Sequence, residues 1–337
     1  TVTTVKNIKS ETYLSDPSIS PDGSEIAFVS GGDIWTVSSA GGKARLLIAR
    51  PGYDSRPLYS PDGQFIAFNS TITGSGDVYT YNLKTGALNR LTYDDANEEI
   101  NGWSADSKLI YLTSPAKDIS GMKDVFKVKV SGGTPMAVTD NRFITEFFAA
   151  PSPDGKSVAF NMRGMSSVQW WRNGRSHLDE SEIWIRQTSG GSAYTPFTKG
   201  GARDLWPMWN KDGSGMYFIS DRTGTQNLWF SSLKGEAKQL TKFSSGRMIW
   251  PSMAANGESI VFEKDFKIWK YSLADGKATE LPVTLVGAAT IAGTEHLRLT
   301  NQFRDVTLSP DGKKIAFVAR GEVFVAGAKE GGDAYRV

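Results

Sequence analysis

Few residues of this 337-residue chain have the chemistry for covalent catalysis. Cys is absent, and the two histidines are His177 and His296. A cysteine nucleophile, a zinc–thiolate site and a disulfide framework are therefore excluded. A hydrolase nucleophile elbow needs Gly-x-Ser-x-Gly, because a strained turn must expose the serine. The nearest string, Gly164-Met165-Ser166-Ser167-Val168, fails at its last position. No His-Glu-x-x-His helix, EF-hand loop or Gly-rich phosphate loop ending in Lys-Ser/Thr occurs. Asp94, Asp95, Glu98 and Glu99 carry the oxygens a calcium ion needs, but a solvated acidic loop is the simpler account. The sequence thus assigns no catalytic residue, no metal site and no cofactor.

Binding chemistry is better represented. The segment from Arg163 to Ser181 gathers Trp170, Trp171, Arg172, Arg175 and His177. Adjacent tryptophans cannot both point to one side of a strand, so one must cover a neighbour or face outward. Trp and Arg dominate binding hot spots. A flap that covers a channel mouth for stability is an equal alternative. A second group recurs as Tyr53-Asp54-Ser55-Arg56, Arg142-Phe143, Arg203-Asp204-Leu205-Trp206, Arg247-Met248-Ile249-Trp250 and Arg304-Asp305. Arg56, Arg203, Trp206, Arg247 and Trp250 are candidates to hold the carboxylate or carbonyls of a peptide. Arg–Asp pairs that brace neighbouring elements are the structural alternative.

The elements that position these residues come from a repeat. Ser-Pro-Asp-Gly stands at Ser20–Gly23, Ser60–Gly63, Ser152–Gly155 and Ser309–Gly312. Degenerate copies begin at Ser104, Asn210 and Ala254, so the turn Asp or Asn falls at 22, 62, 106, 154, 212, 256 and 311. Each copy runs into an apolar triplet such as Ile26-Ala27-Phe28, then into an aliphatic–aromatic pair such as Ile34-Trp35. Pro pre-sets φ in the turn, Asp tolerates the next position and Gly closes it. Four short strands per unit, repeated, predict an all-β fold of four-stranded propeller blades.

Seven units suggest one seven-bladed ring over 1–337. Its blades are approximately 12–48, 53–92, 96–138, 146–198, 203–241, 247–283 and 302–337. The alternative is a six-bladed propeller plus one blade of a second, with a boundary near 285–302. If the strands of a blade are a to d from the inside out, the a–b turns are uniform and read as structural. The b–c loops vary: turn residue to c-strand aromatic takes 13 residues in units 1, 6 and 7, but 17, 20, 30 and 17 in units 2 to 5. Variable loops on a rigid scaffold carry function, so the b–c face is the expected binding face.

Charge and hydropathy exclude other classes. Lys plus Arg is 38 against 36 for Asp plus Glu, a net charge of +2, which does not suit a nucleic-acid surface. The longest nearly apolar stretch, Leu285 to Gly293, is nine residues, about half of a membrane span. The lack of Cys and a start at Thr1 suit an exported bacterial protein, so a periplasmic or other extracytoplasmic place is expected, with the cytoplasm as alternative.

The Ser-Pro-Asp-Gly-x-x-Ile-Ala-Phe run, the loop Ser220-Asp221-Arg222-Thr223-Gly224 and Asn227-Leu228-Trp229 resemble the TolB-like propeller repeat over nearly the whole chain. More narrowly, three stretches resemble the N-terminal propeller region of tricorn-type serine peptidases. They are Asp16–Gly23 with Gly32-Asp33-Ile34-Trp35, the Trp/Arg/His insertion before Ser181-Glu182-Ile183-Trp184, and Val306–Gly312 with Arg320–Phe324. The resemblance implies propellers that filter, guide or anchor peptides, with PDZ and catalytic domains elsewhere in the polypeptide. No catalytic residue is carried over, so this chain alone is expected to bind peptides or proteins without being an enzyme. The alternative is a TolB-like periplasmic interaction scaffold without a protease.

Overall fold

Local hydrogen bonds in the repeated turns set the start of each sheet. The Ser20 hydroxyl donates to Asp22 Oδ1 at 2.6 Å and accepts the Glu25 backbone N–H at 2.9 Å. The same two bonds recur at Ser60, Ser104, Ser152 and Ser309. They favour the charged turn carboxylate: Asp22 is lowered to about 2, chiefly by the Ser20 hydroxyl. The closing residue needs a positive φ, which Gly155 supplies at 70° and, in the degenerate third copy, Ser107 at 58°.

A computed structural model describes residues 13–118, 121–141, 144–164, 171–172, 175–176, 180–189, 193–285, 303–319, 321–329 and 334–337. Among the described residues there are strands, turns and bends but no helix, so none is long and apolar enough to cross a membrane. The chain divides into two compact units, 1–286 and 287–337.

The first unit holds six antiparallel sheets of four sequential strands. Their innermost strands are Ser15–Ile19, Asp54–Tyr59, Glu99–Trp103, Ile144–Pro151, Asp204–Trp209 and Met248–Met253. The second strand of each sheet is covered on both faces. Phe28, Phe68, Phe160, Phe218 and Phe262 are all fully buried, as are Ala27, Ala67 and Ala159 beside them. That is why the sequence reads there as continuous apolar triplets and not as alternation. Each buried Phe contributes about 2–3 kcal/mol of hydrophobic stabilisation.

Apolar clusters join each sheet to the next, and one joins the sixth to the first. In that last cluster Leu14, Ile19 and Phe28 pack with Ala254, Val261 and Ile268. Asn256 donates its backbone N–H to Pro21 O and its side-chain amide to Asp22 O, both at 3.0 Å. After the sixth sheet, Val283–Leu285 runs parallel to Gly42–Ala44 on the outer strand of the first. Gly41 is required at this crossing, since a Cβ there would lie 2.6 Å from Pro282 O. Within this unit the first sheet thus packs on the sixth.

The second unit holds one sheet of the same pattern, Phe303–Leu308, Lys314–Ala319, Glu322–Gly327 and Tyr335–Arg336. Its triplet Ile315-Ala316-Phe317 is only half-buried, and Val306 and Leu308 are exposed. The sequence signal of a blade is present, without the covering that buries the other six.

Candidate functional site: a collar and pocket on the innermost strands

Each innermost strand of the first unit breaks its register once. In the first, second, fourth, fifth and sixth sheets two residues lack a ladder partner. The first of them has a left-handed backbone: Asp16 at φ 51°, Arg56 at 55°, Phe148 at 53°, Trp206 at 54° and Trp250 at 53°. In the third sheet the break is one residue, Asn101. Proline follows in four strands, as Pro17, Pro57, Pro207 and Pro251. It has no N–H to give to a ladder, and a bulge is where a strand accepts it.

Side chains of adjacent sheets hold these bulges. The Arg56 N–H donates to Asp16 Oδ2 at 3.0 Å, the Ala149 N–H to Asn101 Oδ1 at 3.1 Å, and the Trp206 N–H to Asn161 Oδ1 at 3.0 Å. The bulge side chains meet as a collar. Phe148 stacks on Trp206 at 4.9 Å, and Trp250 stands 5.4 Å from Trp206 and 5.7 Å from Phe148. The Arg56 guanidinium lies 4.1 Å over the Trp250 ring, a cation–π contact.

Between the collar and the Ser-Pro-Asp-Gly turns lies a pocket of about 500 Å³, to which all six innermost strands contribute. Arg56, Phe148 and Trp206 line it at the collar, and Pro21, Pro61, Pro153 and Ala255 at the turns. Two donors among its lining residues are unspent. Trp103 and Trp209 give their indole N–H to Leu58 O at 3.1 Å and Ala150 O at 2.9 Å. Trp206 Nε1 and Arg56 Nε are buried with no hydrogen-bond acceptor among the described residues. Arg56 is 8% exposed. Burial pulls its pKa down, opposed by the charges of Asp16 and Glu99; Glu99 is itself paired with Lys123 at 3.0 Å.

The structure therefore brings Arg56, Trp206 and Trp250 together out of the residues singled out in the sequence. Arg247 is exposed, and its charge bears on Glu263. Arg203 is half-buried and gives its backbone N–H to Asp221 at 2.9 Å. The carboxylate next to Arg203 is taken by another arginine: Arg222 reaches Asp204 at 3.0 Å and lies over Phe218 and Trp229. Arg50 does the same with Asp54, Phe68 and Tyr79. These are the bracing pairs, built by arginines the sequence reading did not choose. In the insertion, Trp171–Arg172 and Arg175–Ser176 pair as a short hairpin, whereas Trp170 and His177 lie outside the described residues, as do His296, Arg142 and Phe143.

Phe148, Asp16 and Asn101 were missed, although a signal exists. In every unit but the third, the left-handed residue stands four positions before the first residue of the turn motif, and in four units of the first six it precedes Pro. The acidic loop does not gather. Glu98 is buried, Glu99 pairs with Lys123, and Asp94 accepts the Ala96 N–H at 2.9 Å. Among the described residues no group of three His, Asp or Glu is placed to hold a metal ion.

Comparison with known proteins agrees with the fold. Residues 11–277 match the tricorn protease N-terminal β-propeller domain. The chain is 25% identical over 313 residues to a tricorn protease homolog of Saccharolobus solfataricus, covering 90% of this chain and 27% of that protein. It is 27% identical over 231 residues to the Tol-Pal system protein TolB of Francisella tularensis, covering 66% of this chain and 49% of the relative. Among solved structures, the tricorn protease superposes with a TM-score of 0.64 at 22% identity, covering 97% of this chain and 31% of that one. The chain thus spans about a quarter of the tricorn homolog and half of the TolB relative it matches. It is an all-β propeller chain, and it belongs to the tricorn protease N-terminal β-propeller family.

Proposed function

We propose that the chain is a non-catalytic binding module that captures and guides peptides for a tricorn-type serine peptidase, with PDZ and peptidase domains of the same polypeptide as its partners. The observation that carries this reading is the pocket of about 500 Å³, walled by six innermost strands and lined by aromatic, proline and polar side chains. A concave, largely apolar site with a few polar groups suits a short peptide segment. We further propose that residues 13–285 form one closed six-bladed ring and that 303–337 is a blade of another propeller. Trp171, Arg172 and Arg175, at the opposite end of the fourth sheet from its a–b turn, are proposed with Trp170 and His177 as a second contact for longer peptides. An extracytoplasmic location is proposed alongside this role, and the lack of Cys is compatible with it.

The test is binding of fluorescein-labelled mixed-sequence hexapeptides to the whole chain, read by anisotropy. The reading expects saturable binding without hydrolysis, lost when Ser252, a pocket-lining residue, is replaced by Trp to fill the space. Turnover of the peptides, abolished by a single substitution within the chain, would contradict it. A second reading, a TolB-like scaffold for folded proteins, is favoured by the 231-residue match to TolB. It expects capture of folded partners and indifference to Ser252→Trp.

A further inference from the structure

In two sheets the residue after the buried Phe of the second strand is an asparagine that ties its sheet to the next: Asn69 after Phe68, and Asn161 after Phe160. Asn69 donates to Glu98 O at 2.5 Å and accepts the Ile100 N–H at 2.8 Å. Asn161 donates to Asp204 O at 2.6 Å and accepts the Trp206 N–H at 3.0 Å. Each amide thus spans two residues of the following innermost strand, using one acceptor and one donor. In the sixth sheet the same position, after Phe262, is Glu263, and the strand packed on it is Ser15–Ile19 of the first sheet. Asp16 stands there where Trp206 stands in the fifth sheet, at the left-handed bulge, and Leu14 stands where Asp204 does. Asp16 gives its backbone N–H to the Glu263 carboxylate, which matches the accepting half of the asparagine pattern. The donating half differs. Glu263 is 2% exposed, and its Oε2 has no hydrogen-bond partner among the described residues. An ionised carboxylate can only accept, whereas a protonated one has an O–H to give.

The groups that face Glu263 are Asp16 and Tyr13 of the first sheet, Tyr53 of the crossover into the second and Arg247 of the crossover into the sixth. On its own hairpin Lys264 is taken by Asp265, and Lys267 by Glu280. Burial and the charge of Asp16 raise Glu263 to about 7, opposed by the Asp16 N–H and by Arg247. We infer that Glu263 is a proton-operated latch between the sixth and first sheets: protonated, it closes on the Leu14 carbonyl as Asn161 closes on that of Asp204, and ionised, it only accepts and repels Asp16. The latch is whole below about pH 4 and released as pH rises through 7. It bears on the collar as well, because Asp16 holds the Arg56 N–H, Arg56 covers Trp250, and Glu263 pairs with Ile249 beside Trp250.

The experiment reads hydrogen exchange of the Asp16 and Trp206 backbone amides in the whole chain by NMR, at about pH 5 and about pH 8, corrected for intrinsic rates. Asp16 protection should fall roughly fivefold or more between the two, the worth of one hydrogen bond. Trp206, held by the amide of Asn161, should change little. Glu263→Gln accepts and donates at every pH and should keep Asp16 at its acid-side protection. No fall at Asp16 overturns the latch, and so does an equal fall at Trp206, which would be a general loosening. A fall that persists in Glu263→Gln also overturns it and assigns the proton to another group. If Glu263→Gln does not fold, Glu263→Asn, the residue used by the second and fourth sheets, takes its place, and the comparison of Asp16 with Trp206 in the unaltered chain still decides.

Discussion

Arg56 of the second sheet lies 4.1 Å over the ring of Trp250 of the sixth, so the collar ties together the second and the sixth sheets. Both residues sit at the left-handed bulge of an innermost strand. The bulge turns a side chain that the ladder would have aimed at an adjacent sheet toward the axis instead. Phe148 and Trp206 reach the same place by the same device. A backbone irregularity repeated from sheet to sheet thus builds both a structural knot and a pocket floor.

That knot has a measurable worth. Trp206 is buried, stacked on Phe148 and against Trp250. Trp206→Ala should cost about 3 kcal/mol or more, as large-to-small core changes do, measured as a lower urea midpoint at unchanged slope. Trp206→Phe keeps most of the ring contact and should cost less than half as much.

Turn chemistry predicts a smaller effect. Gly155 has φ 70°, and a Cβ there would meet nothing within 4 Å. Gly155→Ala should therefore cost about 1–2 kcal/mol through backbone conformation alone. Thermal or urea unfolding checks this, and an unchanged midpoint would show that the turn does not hold its left-handed residue.

Acid groups set the pH dependence. Burial raises Glu98, Glu146 and Glu263 to about 7 and Asp124 to about 6. Carboxyls with raised folded-state values bind protons more tightly in the native state. Their contribution is whole below about pH 4 and is lost as pH rises through 7. The turn aspartates act oppositely: Asp22, lowered to about 2, loses its contribution as pH falls. Tm should peak near pH 5 and fall by roughly 3 °C or more toward pH 8. Glu146→Gln should flatten that fall.

Truncation tests the proposed six-bladed closure. The first and sixth sheets share a core through Phe28 and Val261, so the chain ending at Val286 should unfold at the same urea concentration as its counterpart sheets in the whole chain. Aggregation of the shortened chain would argue that the seventh repeat is part of the same ring.

The turns and strands were legible because they are local. Ser-Pro-Asp-Gly states its own hydrogen bonds, and the triplets around Phe28 and Phe160 state their burial. The packing of the sixth sheet on the first was not, because no spacing along the chain records that Ala254 and Leu14 share one apolar cluster. The collar was half legible. Arg56, Trp206 and Trp250 stood out by type, but Phe148 did not, since the left-handed position is marked by Pro only where Pro follows. The pocket at the turns was not legible for a related reason. Loop length varies where the chain has room, whereas a pocket made by strand residues leaves no trace in loop length.

Where a bound peptide sits is the most direct measurement. A short peptide carrying a photoreactive benzophenone side chain at its last residue is irradiated with the chain, and the crosslinked positions are read by mass spectrometry. The account predicts adducts on the innermost strands and turns, within 56–61, 101–105, 148–153, 206–211 and 250–255. Adducts confined to 163–181, with the innermost strands unmarked, would contradict it.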